Sequence, residues 1–205
     1  MSASTPVERT DEHAVERHAA FLARAGAGPV DLLFIGDSIT RRWAEVPALW
    51  EKHYAHRGAA NFGVGSDTTQ HVLWRIQHGE LDGIAPRVVV VLAGTNNIGV
   101  DPVDEIVEGV ALITRTIRLK LPRARVLLLA LFPRRDAMDA VRAVNAGLAA
   151  LDNGDTVRVL DLGDAFLGPD GLPDPALMPD GLHLVEPGYV RWAARMEPLL
   201  SEMLS

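Results

Sequence analysis

The chain has 205 residues, 48% of them hydrophobic and 23% charged, a composition typical of a soluble globular protein with one sizeable core. Its net charge is −7, and its 18 arginines and two lysines are spread along the chain, so we expect no nucleic-acid partner. The lack of cysteine excludes disulfides, thiolate catalysis and thiolate metal sites.

No segment of the sequence predicts export or membrane insertion. Residues 1–24 carry charges throughout and lack the apolar core of a signal peptide. The longest apolar runs, 88–93 and 126–132, are too short to span a bilayer. We therefore expect a cytoplasmic protein without a membrane span. We also expect one domain over 1–205, with an N-terminal helix and turn at 1–28 packed on it.

Apolar positions at helical spacing predict the first helix over 7–25. Its packing face is predicted to carry three residues: Val15, Ala19 and Leu22. His13 and His18 also lie in this helix. No carboxylate stands at ligand spacing from them in the sequence, so we interpret both histidines as structural and expect no metal site.

The most informative stretch runs from residue 30 to residue 40. Its apolar run over 32–35 predicts a buried strand, which breaks at Gly36 into a polar turn that offers the hydroxyl of Ser38. Open α/β sheets bind ligands at the carboxyl ends of their strands, so this turn is a suitable place for a nucleophile. Alternatively, Ser38 only caps a following helix, and the stretch by itself leaves both interpretations open.

A predicted helix over 47–54 and a short strand over 59–62 lead into a glycine-rich turn at 61–69, which is followed by another helix. The G-x-G-x-x-T pattern at 63–68 nearly matches a dinucleotide-binding fingerprint. The third glycine is missing and the turn does not follow the first strand, so we do not interpret it as a nucleotide site. Its backbone N–H groups can instead face an anion.

Strands and helices alternate through the rest of the chain. Further strands are predicted over 87–92, 126–132 and 157–160, and further helices over 101–121, 136–151 and 187–204. This alternation implies five parallel strands joined by right-handed crossovers. A long loop rich in Gly, Pro and Asp at 163–179 precedes the last helix, and long loops in compact domains are often functional.

Polar residues recur after the predicted strands at Ser38, Ser66 and Asn96, and Asp180 and His183 follow on the late loop. In a doubly wound sheet these positions can meet at one edge. A nucleophilic serine needs a base, which His183 can provide, and Asp180 can hold the imidazole in the required tautomer. Four of the six serines lie near the termini. Of the other two we favour Ser38 over Ser66, because it ends the better strand.

Four blocks of the sequence resemble, in order and spacing, those of the SGNH or GDSL hydrolases: Gly36-Asp37-Ser38, the turn after Asn61, Gly94-Thr95-Asn96-Asn97 and Asp180-x-x-His183. The stretch 61–75 is most similar to the catalytic subunits of intracellular platelet-activating-factor acetylhydrolase and their bacterial relatives. The resemblance implies a flavodoxin-like, three-layer α/β/α sandwich with a five-stranded parallel sheet. It also implies a serine esterase that uses neither metal nor cofactor, and a possible homodimer.

The resemblance implies roles for individual residues. The nucleophile, its base and the orienting acid are expected at Ser38, His183 and Asp180. Oxyanion donors are expected at the backbone N–H groups of Ser38 and Ser66 and at the amide of Asn96. Three neighbouring residues are expected to contact the substrate: Asp37, Gly65 and Asn97. Ser66 stands where the family usually has a glycine, but a serine keeps the backbone N–H that this role requires.

The substrate is less well defined than the reaction. The resemblance favours acetyl-type, short-chain esters of small molecules. Carbohydrate O-acetyl esterase, thioesterase and lysophospholipase-type activities remain open, as does a non-catalytic binding domain with this fold. Three aromatic residues, Trp43, Trp74 and Phe132, are interpreted as core residues rather than as the lining of a pocket.

Overall fold

The computed structural model describes residues 2–205, in which five strands form one sheet between helices. The strands are β1 (Leu32–Gly36), β2 (Ala59–Gly63), β3 (Val88–Leu92), β4 (Arg125–Leu129) and β5 (Val157–Leu160). The helices are α1 (Glu12–Gly26), α2 (Ser38–Arg41), α3 (Pro47–His53), α4 (Thr69–Gln77), α5 (Val103–Lys120), α6 (Met138–Ala149) and α7 (Glu186–Leu204). Single 3₁₀ turns follow α2, α3, β3 and β5.

All neighbouring strands are parallel, in the order β2-β1-β3-β4-β5. Helices α4, α5 and α6 pack side by side on one face, and α3 packs with α7 on the other. The predicted three-layer α/β/α fold with a flavodoxin-like parallel sheet is therefore confirmed. The strand order reverses between β1 and β3, and sheets of this kind bind ligands outside the carboxyl ends of the strands at such a point.

The register of the sheet brings three turns to one level. Gly36, the last residue of β1, pairs with Gly63 on β2 and with Leu92 on β3. A Cβ at Gly36 would lie 2.3 Å from the Leu92 carbonyl oxygen, and one at Gly63 would lie 2.3 Å from the Arg41 nitrogen. Glycine at both positions therefore lets α2 pack directly against the sheet edge.

Strands β1 and β3 are buried along their whole length, because helices cover both faces of the sheet. Trp43, just after α2, packs against Tyr54, Tyr189 and Trp192, with ring centroids 4.7 to 5.2 Å apart. The Tyr189 hydroxyl donates to the Ile39 carbonyl oxygen (2.7 Å) and so ties α7 to α2. Trp43 and Phe132 are fully buried core residues, as predicted, whereas Trp74 is half-buried.

Helix α1 buries a different face from the one predicted. Val15 and Leu22 are 50% and 40% exposed. The buried residues of this helix are Ala14, Phe21 and Ala25. The inward side also carries His18, whose ring bonds the buried carboxylate of Glu80 (2.9 Å). Because His18 has a partner in the interior, α1 buries the side that carries His18 rather than the side that its apolar spacing alone indicates.

Two predicted boundaries are also wrong. The first helix begins at Glu12 rather than at residue 7, because the Asp11 carboxylate caps it by accepting the Ala14 N–H (3.1 Å). The fourth strand ends at Leu129, before residue 132. Beyond Leu129 the backbone of Leu131 bonds the side chain of Asn145 instead of a neighbouring strand. The Asn145 Oδ1 accepts the Leu131 N–H (2.8 Å), and the Asn145 Nδ2 donates to the Leu131 carbonyl oxygen (2.9 Å). Within residues 2–205, no helix is both long and apolar enough to cross a membrane.

Candidate active site

Ser38 is the first residue of α2, and only Asp37 separates it from the end of β1. The preceding Asp37 is the helix cap: its carboxylate accepts the Ile39 N–H (2.9 Å), and its carbonyl oxygen accepts the Arg41 N–H (2.9 Å). None of the described residues accepts a hydrogen bond from the Ser38 N–H. Since Asp37 performs the capping, Ser38 is left with a free N–H and a half-buried hydroxyl at the sheet edge.

Three predicted site residues form a continuous chain of hydrogen bonds. The Ser38 Oγ lies 3.0 Å from the His183 Nε2, and the His183 Nδ1 lies 2.7 Å from an Asp180 carboxylate oxygen. A carboxylate only accepts, so Nδ1 carries the ring proton and Nε2 is the acceptor for the serine hydroxyl. This tautomer is the one in which the ring can remove a proton from Ser38.

The Asp180 carboxylate is held ionised. Partial burial acts to raise its pKa, but hydrogen bonds from the His183 N–H, the His183 ring and the Leu182 N–H outweigh burial and lower the pKa to about 2. The loop therefore supplies a fixed negative charge beside His183. Such a charge orients a neutral imidazole and stabilises it once it is protonated.

The glycine-rich turn after β2 carries the only non-glycine residue with a positive φ in the described chain. Ser66 has φ +64° and is exposed. None of the described residues accepts its backbone N–H. The side-chain amide of Asn96, which follows β3, donates to the Asp67 carbonyl oxygen (2.9 Å), which leaves its second N–H free of that bond. The turns after β2 and β3 are thus directly linked.

The residues predicted to contact the substrate differ in exposure. Asn97 is fully buried, and its amide bonds Thr69, Gln70 and Asp101 within the protein. Asp37 is fully buried as well, while Gly65 is half-buried.

The Asp37 carboxyl is unusual for a surface turn. Burial raises its pKa to about 7; the hydrogen bond from the Ile39 N–H acts in the opposite direction, and the nearby Asp67 carboxylate adds to the rise. Its second oxygen, Oδ2, has no hydrogen-bond partner among the described residues. A buried carboxyl with this pKa is half protonated near neutral pH.

Below the site lies a cluster of buried charges that the sequence analysis missed. Arg75, on α4, is 4% exposed and pairs with Asp67 (2.7 Å) and with Glu80, both of which are fully buried. Its guanidinium also donates to the Phe62 carbonyl oxygen (3.2 Å). Arg75 lies between buried apolar positions of α4, and that placement was the only signal that the charge faces inward.

In the described part of the chain, no three His, Cys, Asp or Glu side chains are arranged to hold a metal ion. Two histidines form hydrogen bonds with carboxylates. His18 bonds Glu80, and His183 bonds Asp180 and Ser38.

Relatives resemble the chain over nearly its whole length. It is 33% identical over 199 residues to the platelet-activating factor acetylhydrolase IB subunit alpha2 of Gallus gallus, covering 95% of this chain and 86% of the relative. It is 33% identical over 211 residues to the alpha1 subunit of Homo sapiens, covering 100% of this chain.

Solved structures share the fold. A GDSL-like lipase from Bacteroides thetaiotaomicron superposes with a TM-score of 0.76 at 20% identity, covering 93% of this chain and 99% of that one. A carbohydrate esterase family 3 protein from Talaromyces cellulolyticus gives a TM-score of 0.64 at 19% identity, covering 85% and 98%. A model of the GDSL-like lipase/acylhydrolase family matches residues 34–191. The chain therefore belongs to the GDSL-like lipase/acylhydrolase family and is an ester hydrolase.

Proposed function

We propose that this ester hydrolase is a serine esterase that cleaves short-chain, acetyl-type carboxylic esters through an acyl-enzyme on Ser38. The observation that carries the proposal is the unbroken chain of hydrogen bonds from the Ser38 hydroxyl through His183 to the ionised Asp180. A nucleophile, a base and an orienting acid within hydrogen-bond reach of each other are what acyl transfer requires.

In the first half of the reaction, the Ser38 Oγ attacks the ester carbonyl carbon while the His183 Nε2 takes the hydroxyl proton. The carbonyl oxygen becomes an oxyanion. We assign its stabilisation to three donors: the free N–H groups of Ser38 and Ser66 and the second N–H of the Asn96 amide. The protonated His183 then gives its proton to the leaving alcohol, and the acyl group stays on Ser38.

In the second half, a water molecule attacks the acyl carbon and gives a proton to the His183 Nε2. The same donors hold the second oxyanion. Collapse of this intermediate breaks the bond to the Ser38 Oγ, which recovers the proton from His183, and the carboxylic acid leaves. Asp37 and Asn97 support this chemistry from inside the protein, by holding the turns that carry Ser38 and Asn96.

The names of the relatives support the size of the acyl group. The proteins that are 33% identical to this chain over its length are acetylhydrolases of a platelet-activating factor, which names the acetyl group as the one released. Family membership by itself indicates that the substrate is an ester but not how long its acyl group is, because the family is described as containing both lipases and acylhydrolases.

The proposal is tested with chromogenic p-nitrophenyl esters of two to eight carbons. We expect the highest kcat/KM for the acetyl ester and a decline with chain length. Ser38→Ala is expected to lose at least about 10⁴-fold in kcat. Ser66→Ala separates the two candidate nucleophiles, and Ser201→Ala, on the exposed end of α7, is the control. Full activity in Ser38→Ala contradicts the mechanism, and a preference for octanoate contradicts the substrate class.

A further inference from the structure

Ser66 occupies a backbone conformation that costs energy, and the structure has to hold it there. A left-handed conformation is unfavourable for an L-residue, because it brings Cβ close to the following carbonyl oxygen. Such residues persist when their surroundings fix them. The orientation of the Ser66 N–H depends on this conformation, so whatever holds the turn also aims that donor.

One arginine from the N-terminal segment, Arg9, bonds the residues on both sides of Ser66. A single nitrogen of Arg9, Nη1, donates to the Gly65 carbonyl oxygen (2.5 Å) and to the Asp67 carboxylate (2.9 Å), the residues on either side of Ser66. Arg75 holds the other oxygen of that carboxylate from inside (2.7 Å). The same residue, Asp67, provides the carbonyl oxygen that the Asn96 amide bonds.

Arg9 is itself well fixed. Its Nε and Nη2 form a two-pronged pair with the Asp11 carboxylate at 2.8 and 3.0 Å. The segment is tied to α4 by the hydrogen bond from the Val7 N–H to the Gln70 carbonyl oxygen (3.2 Å). Arg9 lies 25 residues before the stretch that the family model matches, which begins at residue 34. It therefore lies outside the residues that the family model matches.

Arg9 also adds positive charge under the site. Asp67 and Glu80 are fully buried carboxylates, and Arg75 alone can neutralise only one of them. Arg9 gives Asp67 a second positive partner, which Asp67 shares with the Asp11 carboxylate. The ring of His18 is the further partner of Glu80. Without Arg9, less positive charge surrounds the Asp67 carboxylate next to the turn that meets the developing oxyanion, and low-dielectric surroundings make the repulsion between the two negative charges larger.

From these contacts we infer that Arg9 is a positioning residue that aims the Ser66 and Asn96 donors and places positive charge beside the Asp67 carboxylate beneath them. This inference rests on the proposed function. Because the donors act on the oxyanion and not on the ground-state ester, loss of Arg9 lowers kcat and leaves KM nearly unchanged. Complete removal of one oxyanion donor costs about 100- to 1000-fold, so misplacement of donors is expected to cost roughly 10- to 100-fold.

The test compares Arg9→Ala, Arg9→Gln and Arg9→Lys with the wild type on p-nitrophenyl acetate. The control is Arg57→Ala, which removes a part-buried arginine from an ion pair with Glu197 outside the site. We expect kcat to fall in Arg9→Ala at nearly constant KM, and Arg9→Lys to recover much of it, because one ammonium can donate to both acceptors. The control is expected to keep its kcat even where its Tm drops.

A second measurement separates positioning from a structural role. Ethylboronic acid forms a tetrahedral anion on a catalytic serine, and its Ki is expected to rise in Arg9→Ala by the factor that kcat/KM falls. If Arg9→Ala does not fold, Arg9→Gln decides, since it keeps a polar side chain that can donate hydrogen bonds but loses the charge. Wild-type kcat and Ki in the folded Arg9 variants overturn the inference. Full activity in Ser38→Ala, run alongside, instead overturns the proposed function.

Discussion

Replacing Asp37 with asparagine tests whether its buried carboxyl titrates near neutral pH. The substitution keeps an oxygen that can accept the Ile39 N–H, so the cap of α2 is preserved. It removes the ionisable group at a position that is fully buried. The new amide NH₂ has to be buried where Oδ2 has no partner, but that cost does not change with pH.

The expected change in the free energy of unfolding with pH follows from the raised pKa of Asp37. Burial raises the pKa of Asp37 from 3.8 to about 7 in the folded protein. Because the folded-state value is the higher one, the contribution of the protonated carboxyl to stability is complete below pH 3.8 and is lost as the pH rises through 7. Between pH 6 and pH 8 the loss is on the order of 1 kcal/mol. For a chain of this length that corresponds to a fall in Tm of roughly 2–4 °C.

The assay is thermal unfolding followed by circular dichroism at pH 6, 7 and 8. We expect the Tm of the wild type to fall relative to that of Asp37→Asn by this amount between pH 6 and pH 8. Asp155→Asn, at an exposed turn, is the control and should give a constant difference from the wild type. A constant difference for Asp37→Asn too would refute the raised pKa.

Three other substitutions probe the reacting groups with p-nitrophenyl acetate. Asn96→Ala is expected to lower kcat about 100- to 1000-fold with an unchanged circular dichroism spectrum, and near-normal activity would remove this donor from the site. Asp180→Asn is expected to lower kcat by roughly 10⁴-fold, since the imidazole loses its tautomer, and a tenfold loss or less would contradict that role. Ser66→Gly is expected to keep kcat within a few fold and to raise the free energy of unfolding by up to about 1 kcal/mol, because glycine accepts a positive φ; a large loss of activity would show that the hydroxyl takes part.

The layout of the site can be predicted from the sequence because it follows from the order of strands and of the polar turns after them. Apolar runs mark the parallel strands, and polar residues after β1 and β3 must meet at one edge of a parallel sheet. This is why Ser38 and Asn96 could be selected without coordinates. His183 and Asp180 were selected from the chemistry that a serine nucleophile requires, and the structure places both side chains in one hydrogen-bonded chain with Ser38.

The parts that sequence did not predict depend on side chains that bond across long separations. Arg75 and Glu80 have the charge of surface residues, but both are buried in a cluster in which Arg75 also pairs with Asp67. Arg9 meets Gly65 across 56 residues, and no local pattern encodes that contact. The early end of β4 has the same origin, since a side chain on α6, Asn145, replaces a strand as the partner of Leu131.

Covalent trapping of the nucleophile is the most direct test of the proposed mechanism. The wild type and Ser38→Ala are treated with a serine-directed organophosphate, and intact mass and peptide mapping locate the adduct. We expect one equivalent on the peptide that contains Ser38, loss of esterase activity in parallel with labelling, and no adduct in the Ser38→Ala variant. An adduct on Ser66, or an active enzyme that resists labelling, would contradict the assignment of Ser38 as the nucleophile.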